Sequence, residues 1–377
     1  MIYRKFPGTD LKVSALGMGA MRLPTLPEEN KPIDRPEAIR LIRHAIDSGV
    51  NYLDTAYPYH GGDSEVLVGE ALQDGYREKV ILATKLPCWK IEKYEDMEAT
   101  LDEQLAKLKV DHVDVYLLHS LHADSFEKML NLGFPKFLDD MVAKGKIKYP
   151  GFSFHDNAET FLKILDSYPW KVCQVQMNVL DEFNQATMDG VRAAAQRGLG
   201  VIVMEPVRGG ALTARVPEEV KKLYASAPYD RTAAEWAFRW LIDKPEFMTI
   251  LSGMSNMEQL EENVRTFSSA TSSCLSPLEK SILTKVRLAY EARIKVGCTG
   301  CDYCQPCPVE VKIPRIFQGY DRANMFDDLP GFFERYKKNF GELKCVECGA
   351  CVNACPQHFA TPIPEMLKKI DEESKNY

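Results

Sequence analysis

Residues 80–120 read VILATKLPCWKIEKYEDMEATLDEQLAKLKVDHVDVYLLHS, and their pattern decides the fold. Short apolar runs rich in β-branched residues open and close the stretch, at 80–86 and 113–120, and predict buried strands. Residues 96–110, between them, have the apolar spacing of an amphipathic helix. A strand, a helix and a second strand in this order indicate two parallel strands joined by a crossover helix.

The same unit recurs along most of the chain. The six further candidate strands lie at 13–19, 51–56, 149–155, 172–180, 199–207 and 248–254. Eight strands, each followed by a helical run, favour an α/β fold of the closed (βα)8 or TIM-barrel type. An open, doubly wound sheet is the alternative, because spacing alone does not prove that the strands close into a ring.

The chain has 377 residues, which is more than one compact domain usually holds. The barrel pattern fades at residues 268–277, SSATSSCLSP, a small polar stretch with a proline that is typical of a boundary. We therefore predict a barrel domain at 1–275. Residues 276–377 are predicted to form a helical linker and a smaller, largely helical domain.

Composition restricts the classes of protein that need to be considered. Apolar residues make up 45% and charged residues 27% of the chain, as in folded globular proteins. A net charge of -7 argues against a nucleic-acid-binding surface. The sequence contains neither a secretory signal pattern nor an apolar run long enough to span a membrane. We expect a cytoplasmic protein with no nucleic-acid or membrane partner.

Eight of the eleven cysteines are concentrated in two short runs, CTGCDYCQPCP at 298–308 and CVECGACVNACP at 345–356. In a long chain without a secretory signal, such runs indicate metal ligands rather than disulfides. The second run has the cysteine gaps and the final Cys-Pro of bacterial ferredoxins, whereas the last gap of the first run is one residue shorter.

The cysteine runs predict two 4Fe-4S clusters. The predicted ligands are Cys298, Cys301, Cys304, Cys307, Cys345, Cys348, Cys351 and Cys355. Two zinc sites of four cysteines each are the alternative, because two-residue gaps suit zinc as well. The remaining cysteines, Cys88, Cys173 and Cys274, are interpreted as buried or incidental thiols.

Four titratable residues stand at or just after the ends of predicted strands, where the active sites of closed barrels lie: Asp54, Tyr59, Lys85 and His119. A nearby lysine cation stabilises a tyrosine phenolate, so we expect Lys85 to lower the pKa of Tyr59. Asp54 is placed to hold Lys85. His119 is a candidate to hydrogen-bond a substrate oxygen or to relay a proton.

Three stretches around these residues, LDTAYPYHGGDSE at 53–65, ATK at 83–85 and LLHS at 117–120, resemble signature stretches of the aldo/keto reductase superfamily. The resemblance covers roughly residues 1 to 270. It implies a (βα)8 barrel that binds NADP or NAD without a Rossmann domain. It also implies a catalytic tetrad of Asp54, Tyr59, Lys85 and His119, in which Tyr59 protonates a carbonyl oxygen as hydride reaches the carbon.

The same resemblance implies a set of cofactor-binding residues. They are Gly19, Met21, Arg22, Ser153, Gln174, Met204, Gly209, Gly210, Leu212, Gly253, Ser255, Gln259, Glu262 and Asn263. The match is uneven, because Phe154 stands where an asparagine is common and Met204 stands where an aromatic side chain often stacks on the nicotinamide. Members that prefer NADPH commonly have a lysine and an arginine where this chain has Gly253 and Gln259, so the resemblance leaves the choice of NAD or NADP open.

The cysteine runs resemble those of two-cluster ferredoxins, in which the fourth cysteine of each run ligates the cluster of the other run. The resemblance implies one ligand set of Cys298, Cys301, Cys304 and Cys355, and a second set of Cys345, Cys348, Cys351 and Cys307. A reductase barrel joined to a ferredoxin-like domain is similar to a group of predicted aldo/keto reductases with C-terminal iron-sulfur domains.

Together these resemblances imply an oxidoreductase that acts on the carbonyl or alcohol group of a small molecule. The clusters would exchange electrons with a partner such as a ferredoxin or a flavoprotein, or would stabilise the fold. The alternative, from another class of protein, is an electron-transfer or redox-sensing protein whose barrel binds nucleotide without turning over a substrate.

Overall fold

The structure is a computed structural model that describes residues 1–377. The chain forms two compact units: residues 1–209 with 234–276, and residues 210–233 with 277–377. None of the helices combines the length and the apolar character that crossing a membrane requires.

The first unit contains an antiparallel hairpin followed by a closed barrel of eight parallel strands. The hairpin consists of β1 (Tyr3–Lys5) and β2 (Lys12–Ser14). The barrel strands are β3 (Leu16–Gly19), β4 (Tyr52–Asp54), β5 (Ile81–Leu86), β6 (Val113–Leu121), β7 (Ile147–Phe154), β8 (Val172–Gln176), β9 (Gly200–Met204) and β10 (Phe247–Ser252). Since β10 pairs with β3, the ring is closed and the predicted barrel is confirmed, whereas the open-sheet alternative is not.

The hairpin was not predicted, because residues 13–19 read as one strand. In the structure residues 12–14 pair antiparallel with β1, and the parallel barrel strand begins only at Leu16. Phe6 and Val13 of this hairpin region join the apolar cluster inside the barrel, and the ring of Phe6 lies 4.4 Å from that of Tyr149. Burial of these two side chains favours the turn over a continuous strand.

Helices follow the barrel strands, as the crossover pattern predicted. They are α1 (Arg35–Asp47), α2 (Ser64–Ala71), α3 (Tyr94–Leu108), α4 (Ala123–Asn131), α5 (Phe134–Ala143), α6 (Ala158–Leu165), α7 (Thr187–Gln196), α10 (Ala233–Ile242) and α11 (Met257–Ser269). In α3 the side chains of Met97, Leu101, Leu105 and Leu108 recur every three or four residues and are all buried, so one face of the helix is apolar. Because all eight strands run the same way, their carboxyl ends form a single rim.

The second unit is helical, in agreement with the prediction for the C-terminal region. Its helices are α8 (Ala211–Ala214), α9 (Glu218–Ala225), α12 (Pro277–Glu291), α13 (Ile313–Met325), α14 (Leu329–Phe340), α15 (Ala350–Ala354) and α16 (Ile363–Ser374). Its core is formed by buried side chains of α13, α14 and α16, including Phe317, Phe333 and Leu367. Six of the eight clustered cysteines belong to this core or pack against it, so the core supports the cysteine runs.

Candidate active site and cysteine clusters

The four residues of the predicted tetrad lie together at the rim of the barrel. Asp54 ends β4, Lys85 lies near the end of β5, and His119 lies two residues before the end of β6. Tyr59 begins a 3₁₀ turn after β4. The Lys85 Nζ donates hydrogen bonds to Asp54 Oδ1 at 2.6 Å and to Tyr59 Oη at 3.4 Å. The rings of Tyr59 and His119 are nearly perpendicular, with centroids 6.1 Å apart.

Lys85 and Asp54 form an ion pair from which water is excluded. The Lys85 side chain is 0% exposed, and its ammonium also donates to the backbone oxygen of Thr55 at 2.8 Å. Burial by itself lowers the pKa of Lys85, but attraction to Asp54 and Tyr59 outweighs burial and leaves the pKa raised. Lys85 therefore remains a cation directly beside the hydroxyl of Tyr59.

The pKa of Tyr59 differs from the expectation. Burial raises this pKa, the charge of Lys85 lowers it, and the net result lies above the ordinary value for tyrosine. Lys85 thus lowers the pKa of Tyr59 as expected, but burial, which was not anticipated, outweighs this effect. Tyr59 keeps its proton throughout the neutral range, and Lys85 is placed to stabilise the phenolate once the proton leaves.

His119 is neutral at neutral pH. Burial and the charge of Lys85 lower the pKa of its imidazole to about 3. The Nδ1 atom is buried without a hydrogen-bond partner. Trp89, which is 55% exposed, lies over His119 with ring centroids 5.1 Å apart. Of the two expected roles, hydrogen bonding to a substrate oxygen fits a neutral imidazole, whereas a proton relay through the imidazolium would require a much lower pH.

Two more titratable residues belong to this rim and were not singled out from the sequence. His155 directly follows β7, is largely buried with a lowered pKa, and has its Nδ1 3.2 Å from Gln185 Oε1. Glu205 follows β9 in a left-handed conformation, and its charge acts on both Tyr59 and His155. Both stand at strand ends, so the rule that identified the tetrad also applies to them.

Three residues of the predicted nicotinamide site also lie together. Ser153 of β7 and Gln174 of β8 are direct partners in the parallel ladder, and Gln174 Nε2 lies 3.6 Å from Met204 Sδ. The Gln174 Oε1 is buried without a partner, while Ser153 Oγ accepts from Ser120 N at 2.7 Å and keeps its own proton to donate. A free acceptor beside a free donor fits a primary carboxamide.

Phe154 occupies the position at which an asparagine was expected. Its side chain is fully buried, and its ring packs against Phe161 of α6 with centroids 5.0 Å apart. The side chain therefore serves packing between strand and helix, and one contact of the expected cofactor site has no counterpart in this chain.

Arg22 lies against two glycines, each in a segment that follows another barrel strand. It follows Gly19 and the exposed Met21, and its backbone oxygen accepts from Ser255 Oγ at 2.9 Å. A Cβ atom at Gly209 would lie 2.9 Å from Arg22 Nη2, and one at Gly253 would lie 3.3 Å from Arg22 Cβ. The two glycines thus leave the room that the arginine side chain occupies.

The predicted adenosine segment lies at the start of α11. Ser255 N donates to Gln259 Oε1 at 2.9 Å, and Asn263 Nδ2 donates to Ser252 Oγ at 3.0 Å. Glu262 lies on the same helix. Gln259 therefore helps to fix the entry of the chain into the helix, and Asn263 is tied to the end of β10. Gly210 and Leu212 of the predicted set fall in the second unit.

The cysteines of the second unit surround two cavities, and none of them forms a disulfide. One cavity is lined by Cys298, Cys301, Cys304 and Cys355. The other is lined by Cys307, Cys345, Cys348 and Cys351, and also by Cys304. No three His, Cys, Asp or Glu side chains converge on a single ion position, so the thiols line the walls of each space. Four soft sulfur donors around one cavity are a donor set that fits an iron-sulfur cluster.

Electrostatic interactions between the thiols connect the two runs, and Cys304 interacts with Cys351 as well as with Cys298 and Cys355. The pKa of Cys298 is raised by burial and then by the neighbouring Cys301 and Cys355. The pKa of Cys351 is raised by burial and then by Cys345, Cys348 and Cys307. In both cases a cysteine of one run acts on the other run. Cys88 and Cys173, outside the runs, are buried thiols with raised pKa values.

Comparison with known proteins identifies both regions. Residues 297–360 match the 4Fe-4S dicluster domain. The L-galactose dehydrogenase of Arabidopsis thaliana is 28% identical over 286 residues, which cover 69% of this chain and 86% of that protein. The NADH-specific methylglyoxal reductase of Escherichia coli is 26% identical over 296 residues, covering 68% and 90%.

Solved structures agree with these relatives. The holo form of an aldo-keto reductase from Bacillus halodurans superposes with a TM-score of 0.64 at 27% identity, covering 76% of this chain and 96% of that one. Residues 15–273 match the model of the aldo/keto reductase family. Since this match spans more than half of the chain, the protein belongs to the aldo/keto reductase family and carries a 4Fe-4S dicluster domain after its barrel.

Proposed function

We propose that the protein is a nicotinamide-dependent oxidoreductase that interconverts the carbonyl and alcohol forms of a small molecule. The observation that carries the proposal is the buried Lys85 cation, held 2.6 Å from Asp54 and 3.4 Å from the hydroxyl of Tyr59. The clustered cysteines of the second unit would hold two 4Fe-4S clusters, which would supply one-electron exchange with a separate redox protein.

The side chains of the tetrad have distinct roles in this proposal. Bound NADH or NADPH supplies a hydride to the carbonyl carbon. Tyr59, which its raised pKa keeps protonated, donates its proton to the carbonyl oxygen. Lys85 stabilises the phenolate as it forms, and Asp54 holds Lys85 in place. The neutral His119 donates a hydrogen bond to the same oxygen and orients the substrate.

The cofactor side of the site rests on two groups of residues. Ser153 and Gln174 hold the carboxamide of the nicotinamide, which orients the ring. Arg22 supplies a cation to a phosphate of the dinucleotide, because its guanidinium lies beside the backbone of Gly209. The positions of Gly253 and Gln259 carry no cation for a 2'-phosphate, and one relative is by name NADH-specific. These observations favour a protein that accepts NADH as well as NADPH.

The cluster ligands are proposed to be crossed between the two runs. Cys298, Cys301, Cys304 and Cys355 hold the first cluster, and Cys345, Cys348, Cys351 and Cys307 hold the second. The proposal is supported by the two cavities that these sets line, with Cys304 lying between them.

The test is steady-state turnover by anaerobically purified protein. Oxidation of NADH and of NADPH is followed with a panel of small carbonyl compounds that includes methylglyoxal, and reduction of NAD⁺ is followed with sugars that include L-galactose. The proposal expects turnover of at least one compound that the Tyr59→Phe variant loses. Tight dinucleotide binding without any turnover would contradict it and favour a redox-sensing protein instead.

A further inference from the structure

We propose that Asp321 is a positioning residue for the cluster of Cys298, Cys301, Cys304 and Cys355, and that its charge makes this cluster the harder of the two to reduce. Asp321 lies on α13 and is only 7% exposed. The inference goes beyond the proposed function, and it depends on that proposal only for the presence of the clusters.

Three backbone amides converge on this one carboxylate. Asp321 Oδ1 accepts from Lys295 N and Val296 N, each at 2.8 Å, and Oδ2 accepts from Gly297 N at 2.8 Å. These residues directly precede Cys298. Gly297 has a φ of 78°, a conformation that glycine adopts without strain, and this turns its amide toward the carboxylate. Asp321 thus fixes the segment of chain that delivers the first cysteine of the run.

The same face of α13 meets the run at further points. Phe317, one turn before Asp321, lines the cavity of the first cysteine set. Gln318 lies so close to Gly300 that a Cβ there would be 2.3 Å from Gln318 Nε2. Residues 317, 318 and 321 share one side of a helix, so α13 acts as a support for the first run.

The carboxylate is also an electrostatic neighbour of the cluster site. Its two oxygens accept from the three amides that directly precede Cys298, so the charge lies next to the first ligand of this cluster. A negative charge in a poorly hydrated position opposes the addition of an electron nearby, and net charge is one of the determinants of cluster potential. The second set differs, because no charged residue lines its cavity, whereas Asp302 lines the cavity of the first set. The two clusters are therefore inequivalent, and an added electron resides mainly on the second.

The experiment is an anaerobic redox titration followed by electron paramagnetic resonance. The wild-type protein is expected to give two midpoint potentials. The Asp321→Asn variant, which keeps the size of the side chain but removes the charge and one of the two acceptor oxygens, should raise the lower potential and leave the other unchanged. The control is Glu334→Gln, which removes an exposed charge of α14 and should move neither potential. An Asp321→Asn protein with full iron content and unchanged potentials would overturn the proposal.

A second pair of variants keeps the test decisive if Asp321→Asn fails to assemble the first cluster. Asp321→Glu retains the charge and should keep both clusters, with the two potentials still separated. A Cys298→Ser variant should lose the lower-potential signal and keep the higher one. Loss of the higher signal instead would contradict the assignment. Wild-type protein that contains no iron at all would reject the clusters and, with them, the role of Asp321.

Discussion

At the scale of single residues, two opposing effects act on the Tyr59 hydroxyl: burial raises its pKa, and the Lys85 ammonium 3.4 Å away lowers it. The residue and its three partners were identified from signature stretches and from the ends of predicted strands, and the structure brings them together. The lowering of the pKa of Tyr59 by Lys85 was predicted, whereas the larger effect of burial in the opposite direction was not. Pairwise attraction to Lys85 can be inferred from spacing, but desolvation cannot.

Replacing Tyr59 with phenylalanine tests the general acid. We expect kcat for carbonyl reduction to fall by roughly 100-fold or more, the usual scale for loss of a general acid, while Kd for NADH stays unchanged. Stopped-flow turnover and fluorescence titration give the two quantities. The matched control is Tyr76→Phe, which removes an exposed hydroxyl that donates to Asp47 at 2.8 Å and should change neither. Wild-type turnover by the Tyr59 variant would remove this residue from the role.

The pH dependence of turnover follows from the two perturbed pKa values. A general acid must be protonated, so activity is present below the raised pKa of Tyr59 and is lost only as the pH rises through it, above the ordinary range for tyrosine. His119, with a pKa of about 3, stays neutral from pH 5 upward and should add no inflection near pH 6.5. We measure kcat/KM for reduction over about pH 6 to 10 in the wild-type protein and in the His119→Asn variant. The wild-type profile should contain no step that is absent from the profile of the variant. Such a step would indicate a charged imidazole in the reaction.

Arg22 provides a prediction about the dinucleotide. If its guanidinium binds the pyrophosphate, Arg22→Gln should raise the Kd values of NADH and NADPH alike by about tenfold or more. This is the effect expected for loss of a charge-assisted hydrogen bond. Fluorescence titration of the two cofactors gives the Kd values. Arg40→Gln, at an exposed arginine paired with Glu37 on α1, is the control and should have no effect. A loss confined to NADPH would place Arg22 at the 2'-phosphate instead.

At the scale of elements, the apolar pattern predicted the barrel strands, because buried parallel strands read as continuous apolar runs. The hairpin of β1 and β2 was missed, since β2 and β3 are separated only by Ala15 and the turn at residues 6–11 has no helical or strand pattern of its own. The cysteine runs were identified by their spacing. The support of the first run by Asp321 was not, because 24 residues separate Asp321 from Gly297.

The crossed assignment of the cysteines can be tested by counting iron. If Cys355 serves the first cluster, the double variant Cys298→Ser with Cys355→Ser should lose one cluster and keep about four irons of about eight. The double variant Cys345→Ser with Cys355→Ser should lose both clusters. Chemical analysis of iron and acid-labile sulfide in anaerobically purified protein measures the result. The opposite pattern would indicate that each run holds its own cluster, and zinc in place of iron would reject both assignments.

At the scale of the whole molecule, one chain combines an aldo/keto reductase barrel with a 4Fe-4S dicluster domain. The barrel belongs to a family that works with nicotinamide cofactors, and the second unit carries the 4Fe-4S dicluster domain. The sequence predicted both regions from local motifs, since each has its signature within a few tens of residues. Neither motif shows whether electrons pass between a nicotinamide in the barrel and the clusters. That transfer depends on rates and potentials rather than on residue identity.

The last prediction concerns this transfer. Nicotinamide passes two electrons together as a hydride, whereas an iron-sulfur cubane accepts one at a time, and a flavin usually mediates between the two. The sequence contains no recognisable flavin motif. We therefore expect that NADH or NADPH alone does not reduce the clusters quickly, and that the clusters take electrons from a separate ferredoxin or flavoprotein. Anaerobic stopped-flow mixing of oxidised protein with NADH, observed through the cluster absorption, measures the rate. Bleaching as fast as substrate turnover, in protein shown to contain no flavin, would demonstrate direct internal transfer and contradict the prediction.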